Sequence, residues 1–375
     1  MAGIYIHIPF CKSRCIYCDF FSTTNESEMN SYVSALCKEM VLRKDELAND
    51  DVKTIYFGGG TPSRLNRKHF EQIFETLNIH YKLSSAMEVT VEANPDDLSH
   101  LYVDMLCELP FNRLSIGVQS FDDSELKFLS RRHNAKEAID AVSYCQEKGF
   151  ANISIDLMYG LPNQNLTIWK HNLEQTLALK IQHISAYHLI YEEKTHLYSL
   201  LEADKINPVN EDCSLEMFEL LINTLTENGF DHYEISAFAK KGFISQHNSS
   251  YWTGLKYLGF GPSAHSFDGN HRWWNVASLQ KYMQGISNST PYIELEDIDL
   301  TTKYNEYIIT GLRTVWGVDL HLMKREFGNK MYDYFLKNAE KYFNLNYLKK
   351  DDAKVTLTRK GIFISDGIMS DLMMI

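Results

Sequence analysis

From residue 3 to about 190 the chain alternates between two hydrophobic periodicities. Short β-type apolar runs at 3–8, 52–57, 87–92, 113–119, 152–157 and 183–189 are separated by stretches with apolar positions at helical spacing, near 28–47, 66–80, 98–108, 122–148 and 165–179. Short Ile/Val/Tyr-rich strands joined by helical crossovers mark a parallel sheet buried on both faces. Six such units predict an α/β fold, a full or partial TIM-like barrel.

The pattern changes after residue 210. Leu215, Phe218, Leu221, Ile222 and Leu225 share one helical face, and Gly229 ends that helix. Residues 231–285 read as a loop-rich aromatic region. The acidic stretch ELEDIDL (294–300) marks the expected boundary, giving domains at 1–290 and 291–375. The second predicts helices near 302–315, 319–327 and 329–344, β-type runs at 345–348 and 355–358, and a last helical segment from Arg359. Helices with a β-hairpin suggest a small winged-helix-like module. Its basic residues (Lys324, Arg325, Lys330, Lys349, Lys350) are interspersed with acids, so a packing or partner role is expected rather than DNA reading.

Composition sharpens this only at a few points. At 375 residues the chain exceeds what one core usually holds. A net charge of −12 argues against nucleic acid as a partner. No apolar run approaches the ~20 residues that span a bilayer. The start, MAGIYIHIPFC, lacks the basic and long apolar regions of a signal peptide. A cytoplasmic, reducing location is the expectation. Four of the seven cysteines (Cys37, Cys107, Cys145, Cys213) fall in helical stretches and read as small buried apolar residues.

The other three stand together in CKSRCIYCDF (11–20), just after the first strand. Cys11, Cys15 and Cys18 have the spacing C-x3-C-x2-C. A [4Fe–4S] cubane normally takes four cysteines. Three leave one iron open for an exchangeable ligand, as catalytic metal sites require. A zinc site completed by His7 is the competing reading, weakened because His7 lies within the strand. Polar and glycine residues also close several strands: Gly58–Thr61, Glu92–Asn94 and Gln119. Parallel barrels place their sites at such strand ends. The three glycines of FGGGTPS (57–63) let backbone approach a ligand, and no lysine follows to make a P-loop.

C-x3-C-x2-C after a first barrel strand, with Tyr17 before the third cysteine, resembles the radical S-adenosylmethionine (SAM) superfamily. The resemblance implies a partial (β/α)6 radical SAM barrel holding one [4Fe–4S] cluster on Cys11, Cys15 and Cys18. SAM would chelate the open iron through its amino and carboxylate groups. One electron from the reduced cluster would then break a C–S bond, giving methionine and a 5′-deoxyadenosyl radical. In GGGTP, residues Gly58, Gly59, Gly60 and Thr61 resemble the contact with the SAM amino group. VEANPDD (91–97), RLSIGVQSF (113–121), LSRRH (129–133) and SIDLMYGLP (154–162) resemble the coproporphyrinogen-oxidase-like branch. That implies SAM contacts for Glu92, Gln119, Arg131 and Asp156, with Tyr5 and Tyr17 packed against the cluster and the adenosyl group.

Two subtypes of that branch differ in function. Anaerobic coproporphyrinogen III oxidases carry a further cysteine two residues after the third cluster cysteine and a longer N-terminal arm. Here that position is Phe20, and ten residues precede Cys11. HemW-type haem chaperones are similar to this chain in length and in CDF (18–20), YEISAFAK (233–240) and HNSSYW (247–252). The second resemblance implies haem as a bound group with His247 as its ligand, His265 being the competing candidate. It also implies an acceptor protein for the haem and an electron donor for the cluster. Oxidative decarboxylation of coproporphyrinogen III is the alternative activity.

Overall fold

The computed structural model describes residues 1–47, 50–290 and 292–374. Strands β1 (Ala2–Ile8), β2 (Val52–Gly59), β3 (Leu83–Ala93), β4 (Arg113–Gln119), β5 (Ile153–Tyr159) and β6 (His183–His188) lie side by side in chain order, all parallel. The crossovers are α1 (Met29–Leu42), α2 (Arg67–His80), α3 (His100–Cys107), the pair α4 (Asp123–Phe128) and α5 (Ala135–Glu147), and α6 (Leu166–Ala178). The helix expected over 122–148 is therefore two. Ser130 has φ 60, and Asn134 starts α5 by a capping box with Glu137.

The strands read as apolar runs because of one face only. Ile4, Ile6 and Ile8 of β1, and Leu114, Ile116 and Val118 of β4, pack outward in the main core under the helices. The alternate positions face inward: Tyr5 and His7, Tyr56 and Gly58, Glu92, Arg113 and Ser115, Asp156. A filled TIM barrel would carry branched aliphatics there. Here the interior is aromatic, polar and glycine-rich.

After β6 come α7 (His196–Glu202) and α8 (Glu211–Glu227). The hairpin β7 (Asp231–Glu234) and β8 (Ala237–Ala239) adds antiparallel to β6. Helix α9 (Gln246–Trp252) follows. Then β9 (Lys256–Phe260) returns to pair parallel with β1. β10 (His265–Phe267) and β11 (His271–Asn275) continue that side; after α10 (Leu279–Asn288), β12 (Ile293–Asp297) pairs with β11. The sheet thus runs from β12 to β7 with two edges and does not close. The loop-rich expectation for 231–285 is corrected: five strands lie there, each 3–5 residues long.

A second core gathers Tyr304, Ile308, Met323, Phe335, Val355 and Ile368. It is built from α11 (Leu300–Leu312), β13 (Val318–Asp319), α12 (Leu320–Asn344), β14 (Leu348–Asp351), β15 (Lys354–Leu357), α13 (Arg359–Ile362) and α14 (Ser365–Leu372). α12 breaks at Gly328 (φ 76), where the two expected helices meet. The ELEDIDL stretch holds β12, paired in the main sheet, and Asp299, which caps α11. Of the four helical cysteines, Cys37 and Cys145 are buried; Cys107 is exposed and Cys213 half-buried, correcting the expectation for that pair. Among the described residues no helix is long and apolar enough to cross a membrane.

Candidate cofactor site at the strand ends

The loop after β1 carries Cys11, Cys15 and Cys18. Its return is tied down by the Cys11 and Thr23 amides, which donate to Thr23 O and Pro9 O at 2.9 and 2.7 Å. The Thr61 hydroxyl donates to Cys11 Sγ at 3.4 Å, and Arg131 Nη1 donates to Cys15 Sγ at 3.3 Å. Burial pushes the Cys18 thiol up to about 11, with a backbone hydrogen bond at Phe20 opposing and Cys15 and Cys11 contributing to the rise. The three sulfurs therefore share one neighbourhood. Among the described residues no three His, Cys, Asp or Glu groups close around a single ion position. That is compatible with a cubane, whose irons each take one thiolate. His7 is not a fourth ligand: Nε2 donates to Phe21 O at 2.9 Å, and Nδ1 accepts from the Tyr5 hydroxyl at 3.1 Å. The donor set fits an iron–sulfur cluster with one open iron.

The three glycines are each required by a close approach. A Cβ on Gly58 would stand 2.9 Å from the Tyr56 ring, 3.0 Å from Tyr5 and 3.1 Å from Glu92 Oε1. On Gly59 (φ 108) it would strike the His7 ring at 2.7 Å. On Gly60 it would meet Ile8 O at 2.9 Å and Cys11 Sγ at 3.0 Å. The run keeps the end of β2 flat against β1 and against the thiol loop.

Two carboxyls face the interior. Glu92 Oε1 accepts from the Tyr56 hydroxyl at 2.7 Å. Burial raises Glu92 to about 7, with Tyr56 opposing and Asp156 adding to the rise. Burial raises Asp156 to about 6, opposed by a hydrogen bond from Ser185; Ser115 Oγ is 3.5 Å away. Arg131 Nη2 donates to Asn94 Oδ1 and to Gly117 O, leaving Nε without a partner among the described residues. Gln119 (φ 70) curls back so that its amide, Arg131 and Asn94 gather over Gly117. Tyr17 packs with Ile16, Leu129 and Met158 beside the loop. The structure thus brings together Cys11, Cys15, Cys18, Tyr5, Tyr17, the glycines, Thr61, Glu92, Gln119, Arg131 and Asp156. Asn94, one of the strand-end polar residues, joins them through Arg131, and Tyr56 and Ser115 belong with them but were not singled out from sequence. Their signal was the alternate, inward positions of the strands.

His247 lies on α9, with its ring against Tyr56. Its side chain is 0% exposed. Nδ1 is bonded to Thr54 Oγ1 and Nε2 to the Tyr251 hydroxyl, each at 2.8 Å. The ring stacks on Tyr56 at 5.0 Å between centroids. Both ring nitrogens are thus hydrogen-bonded within the chain. His265, in contrast, is exposed, makes no side-chain hydrogen bond among the described residues, and stacks on Trp274 at 5.5 Å.

A profile described as the radical SAM superfamily matches residues 5–174, and one described as the HemN C-terminal domain matches 298–364. The chain is 34% identical over 371 residues to the heme chaperone HemW of Bacillus subtilis, covering 98% of each protein. The chain belongs to the HemW family of radical SAM proteins. The HemW protein of Lactococcus lactis is 30% identical over 99% of this chain and 97% of its own. In fold, the chain matches coproporphyrinogen III oxidase (HemN) of Escherichia coli with a TM-score of 0.86, over 99% of this chain and 89% of that one, at 22% identity. Membership in the superfamily implies a [4Fe–4S] cluster and SAM.

Proposed function

We propose that this chain is a haem chaperone: it carries one [4Fe–4S] cluster on Cys11, Cys15 and Cys18, binds SAM across the strand ends, and passes haem to an acceptor protein. The near full-length similarity to proteins named heme chaperone carries the reading. Phe20 supports it. It occupies the position of the oxidases' extra cysteine and is 62% exposed at the mouth of the thiol loop.

When bound, the cluster and SAM supply one-electron chemistry. The residues present prepare the pocket for them. Gly58, Gly59 and Gly60 let backbone reach the ligand. Glu92 and Asp156 offer acceptors to the amino group and ribose hydroxyls. Arg131 and Gln119 close the side over Gly117, with Arg131 Nε still free to donate to a carboxylate. Between the two histidines, the exposed and unbonded ring of His265 suits an exchangeable ligand. No step is assigned to haem itself.

The test is anaerobic reconstitution followed by two assays on one sample. Haem titration should give a saturable Soret band and transfer to an apo-haemoprotein. Coproporphyrinogen III with SAM and reductant should yield no protoporphyrinogen. Stoichiometric protoporphyrinogen, or the absence of any Soret complex, would overturn the proposal. His265→Ala should weaken haem uptake more than His247→Phe does.

A further inference from the structure

The HNSSYW segment forms α9, and its contacts lead away from any open surface. Glu88, on the inner face of β3, caps the helix: its two carboxylate oxygens accept from the amides of Gln246 and His247, each at 3.0 Å. His247 then enters the interior beside Gly3. A Cβ on Gly3 would stand 2.8 Å from Thr54 Oγ1 and 3.3 Å from the imidazole, so β1 leaves room for that ring. The imidazole lies almost parallel to Tyr56, at 23°. Tyr56 in turn holds Glu92 Oε1. At its other end α9 presents Trp252, whose ring receives the Arg313 guanidinium at 5.0 Å. Arg313 closes α11 of the C-terminal unit. It pairs with Glu234, while its carbonyl accepts from the Ile235 amide at 3.2 Å.

A continuous set of contacts therefore runs from a pocket carboxyl to the C-terminal unit. It passes through Tyr56, His247, Tyr251 and Trp252. We propose that His247 is a positioning residue for the SAM pocket, and that α9 is a strut joining that pocket to the C-terminal unit. His247 holds the Tyr56 ring by stacking and is itself fixed by Thr54 and Tyr251. The Tyr56 hydroxyl is thereby aimed at Glu92, which presents its second oxygen to the ligand. The inference rests on the reading that Glu92 faces SAM.

The experiment measures SAM affinity on the full chain with its cluster reconstituted and reduced, from the SAM-induced change in the cluster's electron paramagnetic resonance spectrum. Glu92→Gln tests the underlying reading and should weaken SAM about tenfold or more. Tyr56→Phe removes the hydroxyl, and His247→Phe keeps the stack while losing both hydrogen bonds. Each should weaken SAM about fivefold, and the double variant should be no worse than Tyr56→Phe alone, because residues in one chain of contacts are not additive. Tyr251→Phe, the mildest change, keeps the fold if His247→Phe does not, and should weaken SAM about threefold. Trp252→Leu should do the same from the far end. Iron content should match the parent throughout. If Glu92→Gln weakens SAM but Tyr251→Phe and His247→Phe leave it within the error of the parent, or add fully to Tyr56→Phe, the strut is overturned. Loss of the Soret complex in these two variants with SAM binding intact would overturn it as well. An unaltered affinity in Glu92→Gln would remove the reading of the pocket, and the inference with it.

Discussion

Glu92 and Asp156 hold protons that surface carboxyls would release. Unfolded, they titrate near ~4.3 and ~3.9. Folded, burial lifts them to about 7 and about 6. A raised carboxyl contributes stability that is complete below the unfolded value and is lost as pH rises through the folded one. The protein should therefore lose stability between about pH 4 and 7 on their account. Glu92→Gln keeps the neutral form at every pH. It should be roughly 2 kcal/mol more stable than the parent at pH 8 and indistinguishable at pH 4, measured by urea denaturation. A gain of equal size at both pH values would refute the assignment. A second prediction concerns the thiols. Alanine at Cys11, Cys15 or Cys18 should abolish loading of the four irons of a cubane, whereas Cys37→Ala should leave iron and sulfide content unchanged. The thiols and glycines were legible because they are contiguous in sequence. Tyr56 and Ser115 were not, because each is one alternate position on a different strand. Nor does the short motif HNSSYW reveal that Thr54 and Tyr251 take both nitrogens of His247.

At the scale of elements, the six parallel strands were visible because their outward faces are apolar and rich in Ile, Val and Leu. The antiparallel strands of the main sheet were missed for the opposite reason. β10 (HSF) and β8 (AFA) are too short for a period of two to register. Helix breaks were legible only where glycine marks them. Gly328 was read as a break, whereas Ser130 in LSRRH reaches φ 60 without one. Gly328 has φ 76 and ψ 176, and an added Cβ would meet nothing within 4 Å. Gly328→Ala should therefore act through backbone strain alone, at about 1–3 kcal/mol. Gly367 is the contrast, lying within α14 with equally open space. Gly367→Ala should stabilise by roughly 0.5–1 kcal/mol, as helix propensity predicts. Opposite shifts in thermal midpoint, with unchanged iron content, are the expected result; shifts of the same sign would show that side-chain space, not backbone, decides.

The whole molecule is held together where motifs 80 residues apart meet. The Val315 amide donates to Tyr233 O at 3.1 Å, and Glu234 bridges Thr314. Trp316 packs with Tyr233 and Ala237. Nothing local announces this joint, since YEISAFAK looks like any short amphipathic strand pair. Its electrostatic centre is Glu234, which is 6% exposed. Arg313 Nε lies 2.6 Å from Glu234 Oε1, a close ion pair although its N–H is not aligned along the contact. Burial raises the Glu234 carboxyl, and Arg313 draws it back. Removing the cation would strand a charge that burial disfavours, which costs about 3 kcal/mol for a buried pair and less here because Arg313 is 28% exposed. Arg313→Met should destabilise the joint by about 2 kcal/mol. Glu234→Gln should do so by about 1 kcal/mol, since a neutral amide can still accept from the Ser236 amide. The double variant leaves no unpaired charge, so it should be more stable than Arg313→Met alone. Chemical denaturation of the four proteins closes the cycle. If the two changes simply add, the pair is a surface contact, and the coupling between the barrel and the C-terminal unit must come from Trp316, Tyr233 and the backbone bonds instead.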